Sequence, residues 1–205
     1  GTRWMVNRKL SRLPEDVQAK SLCQIPYRFS IVMTDRKWIL RNVLIWWKPN
    51  CMPSSATDRF TVDFEPVFFF VKSKKNYFEQ QFEPFVLPNR RDGDCVGGIK
   101  YKNINKNNKI GWKKNENGRN MRTVWKIPTK PSSEDHFAPF SEELVKRCIK
   151  SGCPEGGIVL DPFCGSGTTC LVAKKLNCHY IGIDLKEDYC KMTERRMYEE
   201  IGILV

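Results

Sequence analysis

The stretch Asp161-Pro162-Phe163-Cys164-Gly165-Ser166-Gly167-Thr168-Thr169 carries the residue types best suited to binding chemistry. The apolar run Gly157-Ile158-Val159-Leu160 leads into it, and a helical pattern from Thr168 to Leu176 follows. The expectation is strand, tight glycine turn, helix. Gly165 and Gly167 carry no Cβ, so the backbone can turn sharply there and a ligand can approach closely. The helix start behind them offers unpaired N–H groups. Asp161 adds an acceptor at the strand end, which a phosphate would not welcome. A second strand, Ile181-Gly182-Ile183-Asp184-Leu185, is expected to end near Asp184, whose carboxylate suits a ribose hydroxyl pair. Together these residues describe a nucleoside-type cradle with several candidate ligands, or a strand–turn–helix corner whose glycines serve packing alone.

Two nucleotide motifs are excluded by spacing. A P-loop needs Lys after its second glycine, and Thr168 follows Gly167. The dinucleotide fingerprint needs a third glycine where Cys170 stands. The net charge of +12, from 35 basic and 23 acidic residues among 205, points to an anionic partner, with nucleic acid first among them. No apolar run has membrane-spanning length and no secretory signal pattern occurs. The nine cysteines include no C-x-x-C pair, and the two histidines make no Cys/His finger. Buried thiols in a reducing compartment are expected, and no metal site.

The elements that must position the cradle follow in order. Gly1 to Asn7 reads as a strand that begins abruptly, as though a segment preceded it; residues 8–17 read as a loop. Ala19 to Met33 has helical spacing, with Leu22, Ile25, Phe29, Val32 and Met33 on one face and a kink or late start at Pro26. The continuous apolarity of Trp38 to Trp47 predicts a buried strand. A proline-containing loop and a further strand, Phe64 to Ser73, come next, closed by Lys72, Lys74 and Lys75 beside Tyr77 and Phe78. Between 79 and 122 the periodicity is lost and Gly, Asn, Lys and Arg dominate. This part reads as a disordered insert or as a basic module on nucleic acid, with Tyr101, Ile110 and Trp112 favouring some packing. Val124 to Ile127 is extended. Ser141 is an N-cap for a helix with Leu144, Val145, Cys148 and Ile149 on its apolar face, ending at Gly152. A last helix is expected from Glu187 to about Glu200.

Taken together, these motifs resemble the DNA amino-methyltransferases that use S-adenosylmethionine, in their circularly permuted β group. Arg41 to Pro53 resembles the family segment flanking the flipped base, and Asp58-Arg59-Phe60 with Glu65 to Ser73 continues it. His136-Phe137-Ala138-Pro139-Phe140 resembles the element packing on the methionine part of the cofactor. Asp161 to Thr169 resembles the glycine loop, and Asp184 the ribose-binding acid. The resemblance spans nearly the whole chain except about residues 79–122.

The resemblance implies an α/β fold, a Rossmann-like methyltransferase sheet that is circularly permuted and carries an inserted target-recognition region. It implies three parts: 1–78 lining the target-base pocket, 79–122 for target recognition, and 123–205 holding the cofactor. The cofactor set is His136, Phe137, Ala138, Pro139, Phe140, Asp161, Pro162, Phe163, Cys164, Gly165, Ser166, Gly167, Thr168, Thr169, Asp184 and Leu185. Lys48, Pro49, Asn50 and Pro53 form the base-pocket wall. Lys72, Lys74, Lys75, Arg90, Arg91, Lys100, Lys102, Lys113, Lys114, Arg119 and Arg122 are the expected contacts to double-stranded DNA. The implied reaction moves a methyl group from S-adenosylmethionine to the exocyclic amine of a flipped cytosine (N4) or adenine (N6). No metal or membrane takes part, and the setting is cytoplasmic and nucleoid-associated in a prokaryotic or viral context, as in restriction-modification.

One departure stands out. The family's catalytic tetrapeptide contains Pro-Pro, and no Pro-Pro occurs in these 205 residues. The expectation is an enzyme whose N-terminal section is absent, inactive as given unless another chain or segment supplies it. The alternatives are an inactive DNA-binding relative that keeps the cradle, or a methyltransferase acting on RNA.

Overall fold

The computed structural model describes residues 17–18, 20–84, 117–129 and 140–202. The expected strand Gly1–Asn7, Cys95 and the three apolar residues Tyr101, Ile110 and Trp112 lie outside the described residues, as does nearly all of the loop at 8–17. The described residues group into two compact units. One holds residues up to Val43 with Phe68–Lys74, and the other holds Leu44–Val67 with Lys75 onward. Residues 44–67 thus group with the C-terminal part rather than with the rest of 1–78.

In the first unit, α1 (Ile25–Asp35) starts late, with Pro26 in its first turn, where a missing N–H costs nothing. Lys37, at φ 70, turns the chain into the next strand. Tyr27 meets Phe68 edge-on at 6.1 Å and Phe29 meets Phe70 at 6.5 Å. Of the residues expected on one face, Leu22, Ile25, Phe29 and Val32 are all exposed, Leu22 at 75%, and Ser30 is the buried residue of the helix. The 3.6-residue spacing marks a helix that can be covered on one side. Phe68 and Phe70 also contact each other, ring centroids 6.2 Å apart.

Strands β1 (Ile39–Trp47) and β2 (Phe64–Val71) form at the expected places, β1 lying between β2 and a later strand, β5 (Val124–Lys126). The expectation of a fully buried β1 is corrected. Trp46 alone of its residues is buried, and Arg41 to Val43 are exposed. The apolar run encodes strand propensity, while burial comes only where another element lies across it. That happens in the second unit, where β1 and β5 are parallel with Trp46 opposite Trp125. Trp46, Trp125, Ile127 and Leu144 make one core cluster there. Both indoles are satisfied inside it: Trp46 Nε1 donates to the Ile127 carbonyl at 2.8 Å and Trp125 Nε1 to the Arg122 carbonyl at 2.9 Å.

Helix α2 (Glu142–Gly152) has the expected cap: the Glu143 N–H donates to the Ser141 hydroxyl at 3.3 Å. Its Leu144 enters the tryptophan cluster. Its Val145 and Ile149 enter a second cluster with Val172, Ala173 and Cys178. That second core lies under a parallel pair, β6 (Ile158–Asp161) and β7 (His179–Gly182), joined through α3 (Thr168–Lys175). Helix α4 (Glu187–Ile201) closes the chain. Val159 and Tyr180 face the core; Ile158, Leu160 and Ile181 face the other way and are exposed, Ile158 at 66%.

The insert leaves and returns through a two-stranded antiparallel clasp, β3 (Phe82–Glu83) with β4 (Arg119–Asn120), inside the expected limits 79–122. The described strands form three sheets: β2-β1-β5, β3-β4 and β6-β7. No described strand bridges β6 to β5, which leaves the two parallel pairs separate.

The turn from β6 into α3 rests on its two glycines, both at positive φ, 52° at Gly165 and 77° at Gly167. A Cβ on Gly165 would meet nothing within 4 Å, whereas one on Gly167 would sit 2.4 Å from Thr193 Cγ2. Gly165→Ala should therefore destabilise by only the left-handed backbone cost, about 1–2 kcal/mol, and Gly167→Ala by clearly more. Chemical denaturation of the two variants measures the difference, and equal losses would refute the packing account. Ile127→Ala, at a fully buried position, should cost about 2–5 kcal/mol in the same assay.

Candidate functional site

The glycine loop is held by side-chain and backbone hydrogen bonds. At the end of β6, Asp161 Oδ1 accepts from the Phe163 N–H at 3.0 Å and Oδ2 from the Thr169 hydroxyl at 2.5 Å. One carboxylate thus ties the strand end to the first turn of α3. The Cys164 N–H reaches the Ile183 carbonyl at 3.0 Å, and the Gly167 N–H closes back on the Cys164 carbonyl at 2.8 Å. The second acid, Asp184, stands two residues beyond β7. Its Oδ2 accepts from the Gly165 N–H at 3.0 Å and its Oδ1 from the Lys186 N–H at 2.9 Å. The expected strand end at Asp184 is corrected: the strand starts earlier, at His179, and stops at Gly182, leaving Asp184 on the connection to α4.

The structure brings Asp161, Cys164, Gly165, Thr169 and Asp184 together through these bonds. Ser166 and Thr168 are joined through Arg196, described below. Pro162, Phe163 and Leu185 point outward; Phe163 is 82% exposed and Leu185 fully so. Phe140 lines a cavity of about 450 Å³ that opens between α2 and β6 and reaches Asp161 and Thr169. His136, Phe137, Ala138 and Pro139 lie outside the described residues. Burial pushes the Cys170 thiol up to about 12, and burial together with Asp161 and Asp184 raises that of Cys164. Both stay protonated and act as packing groups rather than nucleophiles. Cys164, Cys170 and Cys178 are buried as expected, but Cys23 and Cys148 are exposed, which corrects the expectation of uniformly buried thiols. Among the described residues no group of three or more His, Cys, Asp or Glu could hold a metal ion, and no helix is long and apolar enough to cross a membrane.

The loop between β1 and β2 is pinned at its neck. The Lys48 N–H donates to the Asp63 carbonyl at 2.7 Å, and Trp47 Nε1 to the Asp63 carboxylate at 2.9 Å. Lys48 pairs with Glu65 and lies 4.8 Å over the Trp46 ring. Asn50 spends its amide on Thr129, donating to its carbonyl at 2.8 Å and accepting from its N–H at 2.9 Å. Pro49 and Pro53 are exposed, and the outer part of the loop presents Phe60, 97% exposed, and Met52 to solvent.

Of the expected DNA contacts, Lys74 and Lys75 are exposed and Lys72 stacks over Trp38 at 5.2 Å. Arg119 and Arg122 both bond the Glu83 carboxylate, at 2.7 and 2.6 Å. Burial alone would raise Glu83, but the two arginines hold its carboxyl below the usual range. These two cations thus brace the base of the insert. Arg90, Arg91, Lys100, Lys102, Lys113 and Lys114 lie outside the described residues.

Sequence reasoning missed two residues of α4. The Thr193 hydroxyl donates to the Gly165 carbonyl at 3.2 Å, and Arg196 Nη1 donates to the Ser166 carbonyl at 2.9 Å. Their spacing of three residues places them on one helix face, but nothing in their types points to the loop.

Comparison with known proteins bears on these features. The N6_N4_Mtase family model, described as DNA methylase, matches residues 8–195. The Type II methyltransferase M.SmaI of Serratia marcescens is 34% identical over 186 residues, which make up 90% of this chain and 55% of that protein. M.XycI of Xanthomonas campestris pv. cyanopsidis is 36% identical over 184 residues, 90% of this chain and 53% of that protein. The chain spans about half the length of these relatives. Among solved structures, the PvuII DNA methyltransferase (cytosine-N4-specific) superposes with a TM-score of 0.62 at 18% identity, covering 93% of this chain and 62% of that one. The M1.HpyAVI–SAM complex gives 0.56 at 24%, covering 86% and 71%. The α/β architecture is accordingly that of the methyltransferase fold. Matched over residues 8–195 in sequence and over most of its length in fold, the chain belongs to the N6_N4_Mtase family of DNA methylases.

Proposed function

We propose that this chain supplies the cofactor cradle and one wall of the base pocket of a DNA amino-methyltransferase. The reaction would place a methyl group on the exocyclic amine of a cytosine (N4) or adenine (N6) flipped from double-stranded DNA. The order of parts is that of a circularly permuted enzyme, with the base-pocket half ahead of the cofactor half. The observation that carries the reading is the turn of Asp161 to Thr169 held against Asp184. Gly165 faces open space there, and two carboxylates stand beside it, Asp161 at the end of β6 and Asp184 two residues beyond the adjacent parallel strand β7. Family membership and the bound SAM named for M1.HpyAVI support it.

The residues present fit S-adenosylmethionine. Each Asp184 oxygen accepts one backbone N–H and retains acceptor capacity for a ribose hydroxyl. The glycine loop admits close approach on the side where Gly165 has no neighbour. Phe140 and the cavity beside Asp161 suit an apolar and a cationic portion together. When bound, the cofactor supplies an electrophilic methyl on a sulfonium, so no metal is required of the protein. The chain's own task is orientation: a rigid loop fixes the donor, and the pinned β1–β2 loop limits where a flipped base can rest. Lys72, Lys74 and Lys75, with the basic residues of the insert, would neutralise phosphates. A soluble, cytoplasmic enzyme acting on chromosomal DNA follows from that substrate.

Three outcomes are expected. The full-length protein should transfer label from tritiated S-adenosylmethionine to unmethylated DNA; no transfer would reject the enzymatic reading in favour of a DNA-binding relative. Asp184→Ala should weaken S-adenosylmethionine binding about tenfold or more in calorimetry, the loss of one or two hydrogen bonds to a charged acceptor, and unchanged affinity would mean the acid is misassigned. Lys74→Ala should lower the salt slope of DNA binding by about one unit; an unaltered slope would remove Lys74 from the interface.

A further inference from the structure

The glycine loop is gripped from the side of α4 by groups that no binding motif includes. Thr193 Oγ1 donates to the Gly165 carbonyl at 3.2 Å, and its side chain occupies the space a Cβ on Gly167 would need. One helical turn on, Arg196 Nη1 donates to the Ser166 carbonyl at 2.9 Å, and lies 3.4 Å from the Ser166 hydroxyl and 3.3 Å from that of Thr168. The guanidinium is itself aimed by acids: its Nη2 lies 3.5 Å from Glu200 and 4.0 Å from Glu142. Lys175 of α3 closes the network, 2.7 Å from Glu200 and 3.3 Å from Glu142. Glu142 opens α2, directly after Phe140 and Ser141. Three helices thus meet on one arginine whose inner edge holds a loop carbonyl.

We propose that Thr193 and Arg196 are positioning residues for the glycine loop. By holding the Gly165 and Ser166 carbonyls toward α4, they keep the opposite side of the loop open and correctly shaped for S-adenosylmethionine. The proposal rests on the cofactor reading above. It assigns to α4, outside every cofactor motif, part of the binding energy for the donor. The geometry explains why a planar cation is used. A guanidinium can serve the Ser166 carbonyl, two hydroxyls and two carboxylates from fixed directions at once, and an ammonium cannot.

The test uses Arg196→Lys and Thr193→Val, with Thr193→Ser as the conservative partner. Amide hydrogen exchange at Gly165 and Gly167 in the cofactor-free protein reports the loop directly. Both disruptive variants should speed exchange there by about tenfold, as expected for local opening of a region that has lost a partly buried hydrogen bond. Exchange at core amides such as Val172 should stay at the wild-type rate, which a general loss of stability would not allow. Affinity for S-adenosylmethionine should fall about tenfold in both, and Thr193→Ser should recover what Thr193→Val loses. Wild-type exchange and affinity in both disruptive variants would overturn the assignment, as would faster exchange spread evenly through the core. A wild-type protein that binds no S-adenosylmethionine would overturn the cofactor reading instead, and the exchange rates would still decide whether α4 holds the loop.

Discussion

The Asp161 carboxylate is the contact on which the rest of the site depends. A chain leaving β6 must reverse into α3 within a few residues, and that reversal strands several backbone N–H groups. Asp161 takes the Phe163 N–H and the Thr169 hydroxyl together, so strand end and helix start are joined through one side chain. Asp184 does the same for Gly165 and Lys186. With both acids placed, the glycines can hold positive φ without the loop collapsing, and an open face results. An unmade bond here would leave a donor unpaired in a partly buried turn, which costs more than the bond itself contributes.

Helix α2 decides where that loop stands. It divides its apolar residues between two cores, Leu144 to the tryptophan cluster on β1 and β5, Val145 and Ile149 to the cluster under β6 and β7. A helix committed on two sides cannot rotate to improve one contact without losing the other. The two indoles add direction to the first core, because each has a single donor: that of Trp46 reaches the Ile127 carbonyl across the cluster, and that of Trp125 the Arg122 carbonyl three residues before it. The β1–β2 loop is bound to the same frame through Asn50 and Thr129. The wall proposed for the base and the cradle proposed for the donor therefore rest on one packed support.

What the sequence made legible follows from how local the physics is. The glycine turn, the Ser141 cap and the late start at Pro26 were readable because each depends on a residue's own backbone preferences and its near neighbours. The burial of β1 and of the α1 face was not, since apolar spacing records which side of an element can be covered and not what covers it. Arg119 and Arg122 read as cations for DNA because their partner, Glu83, lies far away in sequence and meets them only through the clasp. Thr193 and Arg196 left no local trace for the same reason. A threonine and an arginine on a charged helix are commonplace until the fold brings a carbonyl beneath them.

The two acids and the α4 pair divide the loop between them by hydrogen-bond sense. Asp161 and Asp184 accept from N–H groups; Thr193 and Arg196 donate to carbonyls. A peptide plane held only by its N–H can still tilt, and one held at successive N–H and carbonyl groups from opposite sides cannot. Gly165 is held in this way, its N–H by Asp184 and its carbonyl by Thr193. Its neighbour Ser166 is held at the carbonyl by Arg196, and Gly167 by its N–H on Cys164. Glycine gives the loop the freedom to adopt its shape and would by itself leave it mobile. The bonds on either side remove that freedom again, and the side where a Cβ on Gly165 would meet nothing within 4 Å stays open. A ligand arriving there meets a surface already ordered, so little of its binding energy goes to ordering the loop.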